Sequence, residues 1–246
     1  MTYCVAAVTD QGIVFASDSR TNAGVDQLGI FSKMTVIEAP DERMIVLLCA
    51  GNLASTQSVV SLLKLRMAGD DGHVNPTGIM GLSSLYDVAA TVGETMREVV
   101  TRDGPMLTQQ NIDPGCTFIL GGQIKGKAQC LFLIYPQGNF IESSRDTNFF
   151  QIGETKYGKP IIDRVVTFES SLKDVAKCFM VSINSTMRSN LSVGPPIEML
   201  AYEKDALRVT MRRRFAEKDQ YFSEISQFWS SGLRRVFLEV PDVPWT

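Results

Sequence analysis

The second residue of the chain has the type and the place to act as a nucleophile. Thr2 follows Met1, and its side chain is small enough for Met1 to be removed by ordinary N-terminal processing. Removal would leave a hydroxyl and a free α-amine on the same residue. A hydroxyl needs a base within hydrogen-bond reach, and an α-amine with a pKa of about 8 can take its proton. Because Thr follows Met in many proteins that make no use of it, this dipeptide alone gives only a hypothesis.

Two charged residues lie in otherwise apolar, strand-like segments. Asp18 lies in Ala16–Arg20, and Lys33 lies in Phe31–Met34. Isolated charges in such segments usually pair with each other. A paired lysine near the Thr2 hydroxyl would stay cationic, favour the alkoxide and lower the pKa of the α-amine, while the aspartate would orient it. From the residues alone, a structural salt bridge explains the pair as well as a catalytic one.

Length, charge and hydropathy argue against several classes of protein. The chain has 246 residues and a net charge of −3. Its longest apolar run, Met44–Ala50, is far shorter than the roughly 20 residues of a membrane helix. The acidic balance argues against nucleic acid as a partner, and a solvated or subunit-contacting surface explains the one basic run, Arg212–Arg214. The N-terminus lacks the pattern of a secretory signal, which predicts a cytoplasmic protein.

Histidine and cysteine usage bears on cofactors and redox chemistry. The single histidine, His73, lies in a polar stretch, so a multi-histidine metal site is excluded and a solvated loop residue is expected. The five cysteines are far apart and mostly lie in or beside apolar runs, which is typical of buried thiols. The chain has no P-loop, so ATP-driven unfolding cannot come from it. Neither a metal nor an organic cofactor is expected.

The order of strands and helices predicts the architecture that must position these side chains. A block of strands comes first, followed by two helices, further strands, two helices, two strands and a last helix. Segregated blocks predict an α+β fold with two antiparallel sheets and helices on their outer faces, an αββα stack. The expected strands are Tyr3–Thr9, Ile13–Ser19, Ile30–Ile37, Arg43–Ala50, Cys116–Ile124, Gln129–Tyr135, Phe140–Ser143, Ile197–Tyr202 and Leu207–Phe215. The expected helices follow Asn52 as an N-cap, span Leu82–Val99 and Gly158–Val166, follow Ser171 as an N-cap, and span Asp219–Arg235.

Several of these segments together resemble the signature of a known family. Thr2–Val8, Asp10–Val14, Ala16–Arg20, Lys33 and Cys49–Gly51 resemble proteasome β-type subunits, which are N-terminal-nucleophile hydrolases. Residues 189–196 and the long C-terminal extension are similar to the bacterial proteasome-like branch called Anbu. The resemblance implies a four-layer αββα sandwich, in which residues 1–246 form one domain with a C-terminal extension from about residue 204.

The resemblance also implies a role for each matching residue. Thr2 would be the nucleophile and its α-amine the base, with Asp18 and Lys33 as the activating pair. Gly51 would offer its backbone N–H to the oxyanion, in agreement with the preference of helix N-termini for negative charge. A simple strand-to-helix turn explains this glycine equally well. The residues expected to line an apolar pocket for small or medium side chains are Thr21, Phe31, Cys49 and Leu53.

Two positions depart from the pattern of the family. After Gly153, where the family usually has Ser-Gly, this chain has Glu154-Thr155. A carboxylate beside the α-amine would favour the protonated amine and weaken it as a base. Ser189 stands where the typical proteasome has an aspartate, whereas Ser192 keeps the expected hydroxyl. Both changes bear on the rate and on the substrate class.

The resemblance thus implies a threonine peptidase-like hydrolase that works as a homo-oligomer, in a ring or an open spiral, on peptides or unfolded proteins. Phe215–Trp229 and Val240–Trp245 carry more aromatic side chains than a lone surface needs, although packing on the chain's own core explains them as well. Two alternatives stay open: an amidase acting on a small amide, and a catalytically weak scaffold or assembly protein. The intact nucleophile and charge pair favour activity, whereas the two departures favour the alternatives.

Overall fold

The structure, a computed structural model, describes residues 1–22, 28–67, 75 and 77–245. Over these ranges the chain has a mixed α+β fold with antiparallel sheets and five helices. The strands are β1 (Tyr3–Thr9), β2 (Gly12–Asp18), β3 (Arg20–Asn22), β4 (Leu28–Ile30), β5 (Met34–Ala39), β6 (Arg43–Gly51), β7 (Cys116–Ile124), β8 (Cys130–Ile134), β9 (Phe140–Glu142), β10 (Phe149–Gly153), β11 (Ile197–Glu203) and β12 (Met211–Phe215). The helices are α1 (Leu53–Leu65), α2 (Leu85–Gln109), α3 (Lys159–Val165), α4 (Leu172–Ser189) and α5 (Gln220–Glu239). None of these helices is long and apolar enough to cross a membrane.

The first sheet has the strand order β10-β1-β2-β11-β12. Strands β1 and β2 form its central hairpin, with Thr9 opposite Gly12, and all seven residues of each strand are buried. A strand that is buried at every position must have both of its faces covered. Alternate side chains of β1 accordingly enter different cores: Tyr3 and Val5 pack with residues of α3 and α4, whereas Cys4 packs with residues of the second sheet.

The second sheet has the strand order β5-β6-β7-β8-β9, and β3 and β4 pair separately. One of its faces packs with α1 and α2, and its other face shares a hydrophobic core with the first sheet. Phe15 of β2 is fully buried in this shared core. A Cβ atom added to Gly121 of β7 would lie 2.8 Å from the Phe15 ring, so the absence of a side chain there makes room for the aromatic ring.

Polar side chains fix the start of α1 and of α4, as the sequence predicted. Asn52 Oδ1 accepts a hydrogen bond from Ser55 N–H at 3.2 Å, so α1 begins directly after the end of β6. Ser171 Oγ accepts from Asp174 N–H at 3.1 Å at the start of α4. Such caps satisfy backbone donors that have no partner within the helix. The predicted bounds of β1 and β7 are likewise confirmed.

Two strand predictions differ from the structure. The predicted strand Ile30–Ile37 is wrong as a single element, because the chain pairs β4 with β3 up to residue 30 and then pairs β5 with β6 from residue 34. The predicted strand Leu207–Phe215 begins only at residue 211, because Leu207 has a φ of 48° and donates its N–H to the Tyr202 hydroxyl. The short edge strand β10 was not predicted. The predicted solvated loop residue His73 lies outside the described residues.

We expect the Phe15→Ala variant to lose about 3–5 kcal/mol of unfolding free energy, because it leaves a cavity between the two sheets. Denaturant-induced unfolding measures this loss. Ile141→Ala, at a site that is 44% exposed, is the control and should change the unfolding free energy by less than about 0.5 kcal/mol. Equal effects of the two variants would contradict a shared core at Phe15.

Candidate active site

A buried ion pair lies where β2 ends and the chain enters β5. Lys33 Nζ donates to Asp18 Oδ1 at 2.6 Å and to the backbone carbonyl of Arg20 at 2.7 Å. Asp18 is fully buried and Lys33 is 6% exposed. Lys33 lies between β4, which pairs with β3, and β5, which pairs with β6. At this change of partner strand its side chain reaches Asp18 at the end of β2. The side chains of two distant sequence segments therefore meet in the interior.

Asp18 is held by backbone donors as well as by the lysine. Tyr3 N–H donates to Oδ1 at 2.8 Å, and Gly194 N–H donates to Oδ2 at 3.3 Å. Burial raises the pKa of the Asp18 carboxyl, and Lys33 together with these hydrogen bonds opposes that rise. A buried charge is tolerated only when it is paired and hydrogen-bonded. These contacts therefore act together to keep an ionised carboxylate inside the fold.

The same carboxylate places Thr2. Tyr3, the next residue, and the Lys33 ammonium both donate to Asp18 Oδ1, so the chain at Thr2 lies beside the lysine. The backbone carbonyl of Thr2 accepts from Glu154 N–H at 2.7 Å. A Cβ atom added to Gly153, which has a φ of 84°, would lie 2.1 Å from that carbonyl oxygen. The close approach of β10 to Thr2 thus requires glycine at position 153.

Thr2 and Lys33 line one cavity of about 600 Å³. The strand β6 and the start of α1 form much of its wall, because α1 begins directly after the end of the strand. The lining residues are Met1, Thr2, Thr21, Ser32, Lys33, Thr35, Cys49, Ala50, Gly51, Leu53, Thr56, Gln57, Val60, Ser61 and Gly153. The cavity brings a hydroxyl, an ammonium group and an apolar wall together.

The structure brings most of the predicted pocket residues to this cavity. Thr21, Cys49 and Leu53 line it, as does Gly51, which has a φ of 111°. Phe31, expected in the pocket, is not among the lining residues. Its N–H donates to the Ser19 carbonyl at 3.0 Å, and its ring packs next to Gly29. The hydrogen bond to Ser19 continues the pairing of β3 with β4, and the ring of Phe31 lies beside β4 instead of in the cavity.

The other three residues singled out in the sequence lie at or after the ends of β10 and α4: Glu154, Ser189 and Ser192. Glu154 is buried, and its carboxylate accepts from Lys156 N–H at 3.1 Å and from Asn190 Nδ2 at 3.0 Å. Ser189 is exposed at the last position of α4, and Ser192 follows in the segment that leads to β11. The Glu154 carboxylate is therefore hydrogen-bonded to this segment.

Sequence reasoning missed several residues of the site. Gly194 and the Arg20 carbonyl contact the ion pair, and Asn190 contacts Glu154. Thr56 and Val60 line the cavity from α1. The helical period could have found these last two, since they lie three and seven positions after Leu53 and so share its face. No local pattern marks the others, because each acts through a contact between distant segments.

Comparison with known proteins gave matches among solved structures. No family model matched the chain, and no curated protein matched it. Anbu (ancestral beta-subunit) from Yersinia bercovieri is 45% identical with a TM-score of 0.91, over 99% of this chain and 100% of that one. The helical assembly of the Anbu complex from Pseudomonas aeruginosa is 47% identical with a TM-score of 0.91, over 99% and 98%. A Gly-1 mutant of Anbu from Hyphomicrobium sp. strain MC1 is 44% identical with a TM-score of 0.91, over 99% and 100%.

Similarity of this extent over nearly the whole chain places the molecule among proteasome-related subunits. More narrowly, the chain belongs to the Anbu family, the bacterial proteasome-like family whose members these structures are. The resemblance read from the sequence is thereby confirmed at the level of the family.

We expect Lys33→Met to lower the unfolding free energy by about 3–5 kcal/mol at mildly alkaline pH, because it leaves the buried Asp18 carboxylate without its cation. The loss should shrink as the pH falls. Since burial raises the pKa of Asp18 in the folded state, the folded variant binds the proton more tightly than the unfolded chain and gains stability on acidification. Chemical unfolding over a pH series measures both effects.

Two variants control this measurement. Lys159→Met removes the cation of an exposed pair with Asp163 and should cost less than about 1 kcal/mol. Asp18→Asn combined with Lys33→Met should recover part of the loss, because no uncompensated charge stays buried while one amide end of the asparagine faces a backbone N–H donor. A loss that is independent of pH, or a double variant no better than the single one, would contradict the role of the buried charge.

Proposed function

We propose that this chain is a threonine hydrolase of the proteasome type that cleaves peptide bonds once Met1 has been removed. The observation that carries the proposal is the shared oxygen of Asp18, which accepts from the Lys33 ammonium and from the N–H next to Thr2. Met1 is 62% exposed at the cavity, where its removal would free the α-amine of Thr2. The proteasome-related relatives support a hydrolase of this kind.

The reaction follows from this arrangement. The α-amine takes the proton of the Thr2 hydroxyl as the oxygen attacks the substrate carbonyl, and Lys33 stabilises the developing negative charge on that oxygen. The Gly51 N–H, next to the start of α1, stabilises the tetrahedral oxyanion. Collapse of the intermediate breaks the C–N bond, and the protonated amine gives its proton to the leaving amine. Water then hydrolyses the ester on Thr2 by the same steps.

Thiols compete poorly with the hydroxyl in this cavity. Burial raises the pKa of the Cys49 thiol to about 11, partly opposed by a hydrogen bond with Thr56 and by the charge of Lys33. Burial also raises the pKa of Cys4, which does not line the cavity and whose thiol donates to the Cys49 carbonyl. Because the pKa values of both thiols are raised, both cysteines stay protonated at neutral pH. A thiol is nucleophilic only as the thiolate, so neither is a good nucleophile. These features support threonine as the attacking residue.

The cavity wall favours substrates with small or medium apolar side chains beside the cleaved bond. Ala50, Leu53 and Val60 supply aliphatic surface, and Cys49 is protonated. Lys33 also lines the cavity, and its ammonium group already donates hydrogen bonds to Asp18 and to the Arg20 carbonyl. Apolar burial, more than charge, should therefore select the substrate.

We also propose that the chain forms a homo-oligomer, as a ring or an open spiral, from four-layer αββα subunits with an extension from about residue 204. The three hydrophobic cores support the layer order. The P. aeruginosa relative is described as a helical assembly. Phe228, Phe237 and Trp245 are 79%, 74% and 91% exposed, and burying such side chains favours association.

We expect a β-lactone electrophile that acylates nucleophilic hydroxyls to modify Thr2. Peptide mapping by mass spectrometry should find the adduct on a chain that has lost Met1. Thr2→Ala should lose the adduct, Thr2→Ser should keep it, and Thr147→Ala, at an exposed site on another part of the surface, should react like the unmodified chain. Retention of Met1 or an undiminished adduct in Thr2→Ala would overturn threonine catalysis and leave an assembly role.

A panel of peptides and small amides tests the substrate class. We expect peptides with apolar residues before the cleaved bond to react about ten-fold or more faster than those with basic or acidic residues, because only apolar groups gain from burial in the cavity. Leu53→Trp should narrow the pocket and reduce this preference, whereas Leu65→Trp, at the exposed end of α1, should not. Preference for small amides over all peptides would favour the amidase.

A further inference from the structure

A buried carboxylate near Thr2 accepts hydrogen bonds from two neutral donors. Glu154 is 6% exposed, Oε1 accepts from Lys156 N–H, and Oε2 accepts from Asn190 Nδ2. Its own N–H donates to the Thr2 carbonyl at 2.7 Å. Since a buried carboxylate is costly unless both oxygens are bonded, these donors determine where the side chain lies.

The partner of Glu154 begins a segment that reaches the ion pair. We call residues 190–194 the bridging loop. Within it, Asn190 Oδ1 accepts from Ser192 N–H at 3.0 Å, which shapes the turn. Gly194 N–H donates to Asp18 Oδ2, and the Leu191 carbonyl accepts from Arg20 Nη1 at 2.9 Å. Asn190, at one end of the loop, thus contacts Glu154 beside Thr2, whereas Leu191 and Gly194 contact Arg20 and Asp18 beside the lysine.

We propose that the hydrogen bond between Glu154 and Asn190 is a positioning contact that sets Thr2 relative to the Asp18–Lys33 pair. Neither residue reacts. Glu154 fixes the end of β10 and, through its N–H, the Thr2 carbonyl, while Asn190 joins this end to the bridging loop. The inference rests on the proposed function, because the contact matters for rate only if Thr2 attacks.

The effect on rate follows from geometry. A nucleophile displaced by about 1 Å from its attacking position can lose about 100-fold in rate. The bridging loop and β10 are far apart in sequence, and their side chains are joined at this hydrogen bond. If it is lost, the end of β10 keeps its pairing with β1 but gains freedom at Gly153 and Glu154, the two residues next to the Thr2 carbonyl.

Exchanging the two functional groups gives a sharp test. In Asn190→Asp, two carboxylate oxygens face each other. In Glu154→Gln, the new amide can satisfy Asn190 or Lys156 N–H but not both, because one of its two ends is a donor. In the double variant, the amide nitrogen introduced at position 154 donates to the new aspartate while the amide oxygen accepts from Lys156 N–H, and Ser192 N–H keeps its acceptor. Net charge is the same as in the starting chain.

The experiment measures two quantities on the full-length chain. The first is hydrogen exchange of the backbone amide at position 154, corrected for the intrinsic rate of each residue type, which reports on the bond to Thr2 without any reaction. The second is the rate of Thr2 acylation by the β-lactone. We expect each single variant to speed exchange about ten-fold, as for the loss of one hydrogen bond, and to slow acylation about 10- to 100-fold. The double variant should restore both to within about two-fold.

The outcomes separate a positioning role from a purely structural one. The exposed variants Glu142→Gln and Asn139→Asp should change neither quantity. If the single variants lower the thermal midpoint but leave exchange at position 154 and acylation unchanged, the contact is merely structural and the proposal is overturned. Failure of the double variant to rescue also overturns it. If Thr2 is not acylated in the starting chain, the proposed function fails, and exchange with rescue alone decides whether the contact holds Thr2.

Discussion

The carboxylate of Asp18 is fully buried, and the arrangement of the site depends on how the fold compensates its charge. The Lys33 ammonium and the N–H groups of Tyr3 and Gly194 converge on its two oxygens. A buried carboxylate without such partners would take up a proton or force the chain to open. The same contacts that make burial tolerable also bring the lysine beside the chain at Thr2. Stability and the geometry of the site therefore have one common cause.

Two packed sheets provide the rigid frame around this pair. The hairpin of β1 and β2 is buried on both faces, so Thr2 and Asp18, at its open end, are attached to packed strands of the core. At some positions two backbone segments lie so close together that only glycine, which has no side chain, fits between them. A Cβ atom on Gly51 would lie 2.4 Å from the Gly115 carbonyl, so β6 and β7 meet closely just where α1 begins. The cavity is the space that these constraints leave between the sheets and the first helix.

Local signals in the sequence predicted much of the fold and part of the site. Hairpin residues and N-caps such as Asn52 and Ser171 act within a few residues, so their effect is visible in the sequence. The prediction of one strand over Ile30–Ile37 was wrong because the apolar character of this segment continues while its partner strand changes. Phe31 was expected in the pocket, yet its ring packs beside Gly29. Side-chain direction at a change of sheet depends on the partner strands, and no local pattern records these.

The sequence by itself determined the candidate nucleophile, the two charged residues to be paired and the order of strands and helices, because these follow from residue type and spacing. Only the tertiary structure decided that Tyr3 N–H and Lys33 share one oxygen of Asp18, that Gly194 N–H donates to the other oxygen, and that Glu154 bonds to Asn190. Each of these contacts joins segments that are distant in the chain. Such contacts form because the buried polar groups must find partners in the packed interior, and which partners are within reach is set by how the sheets pack.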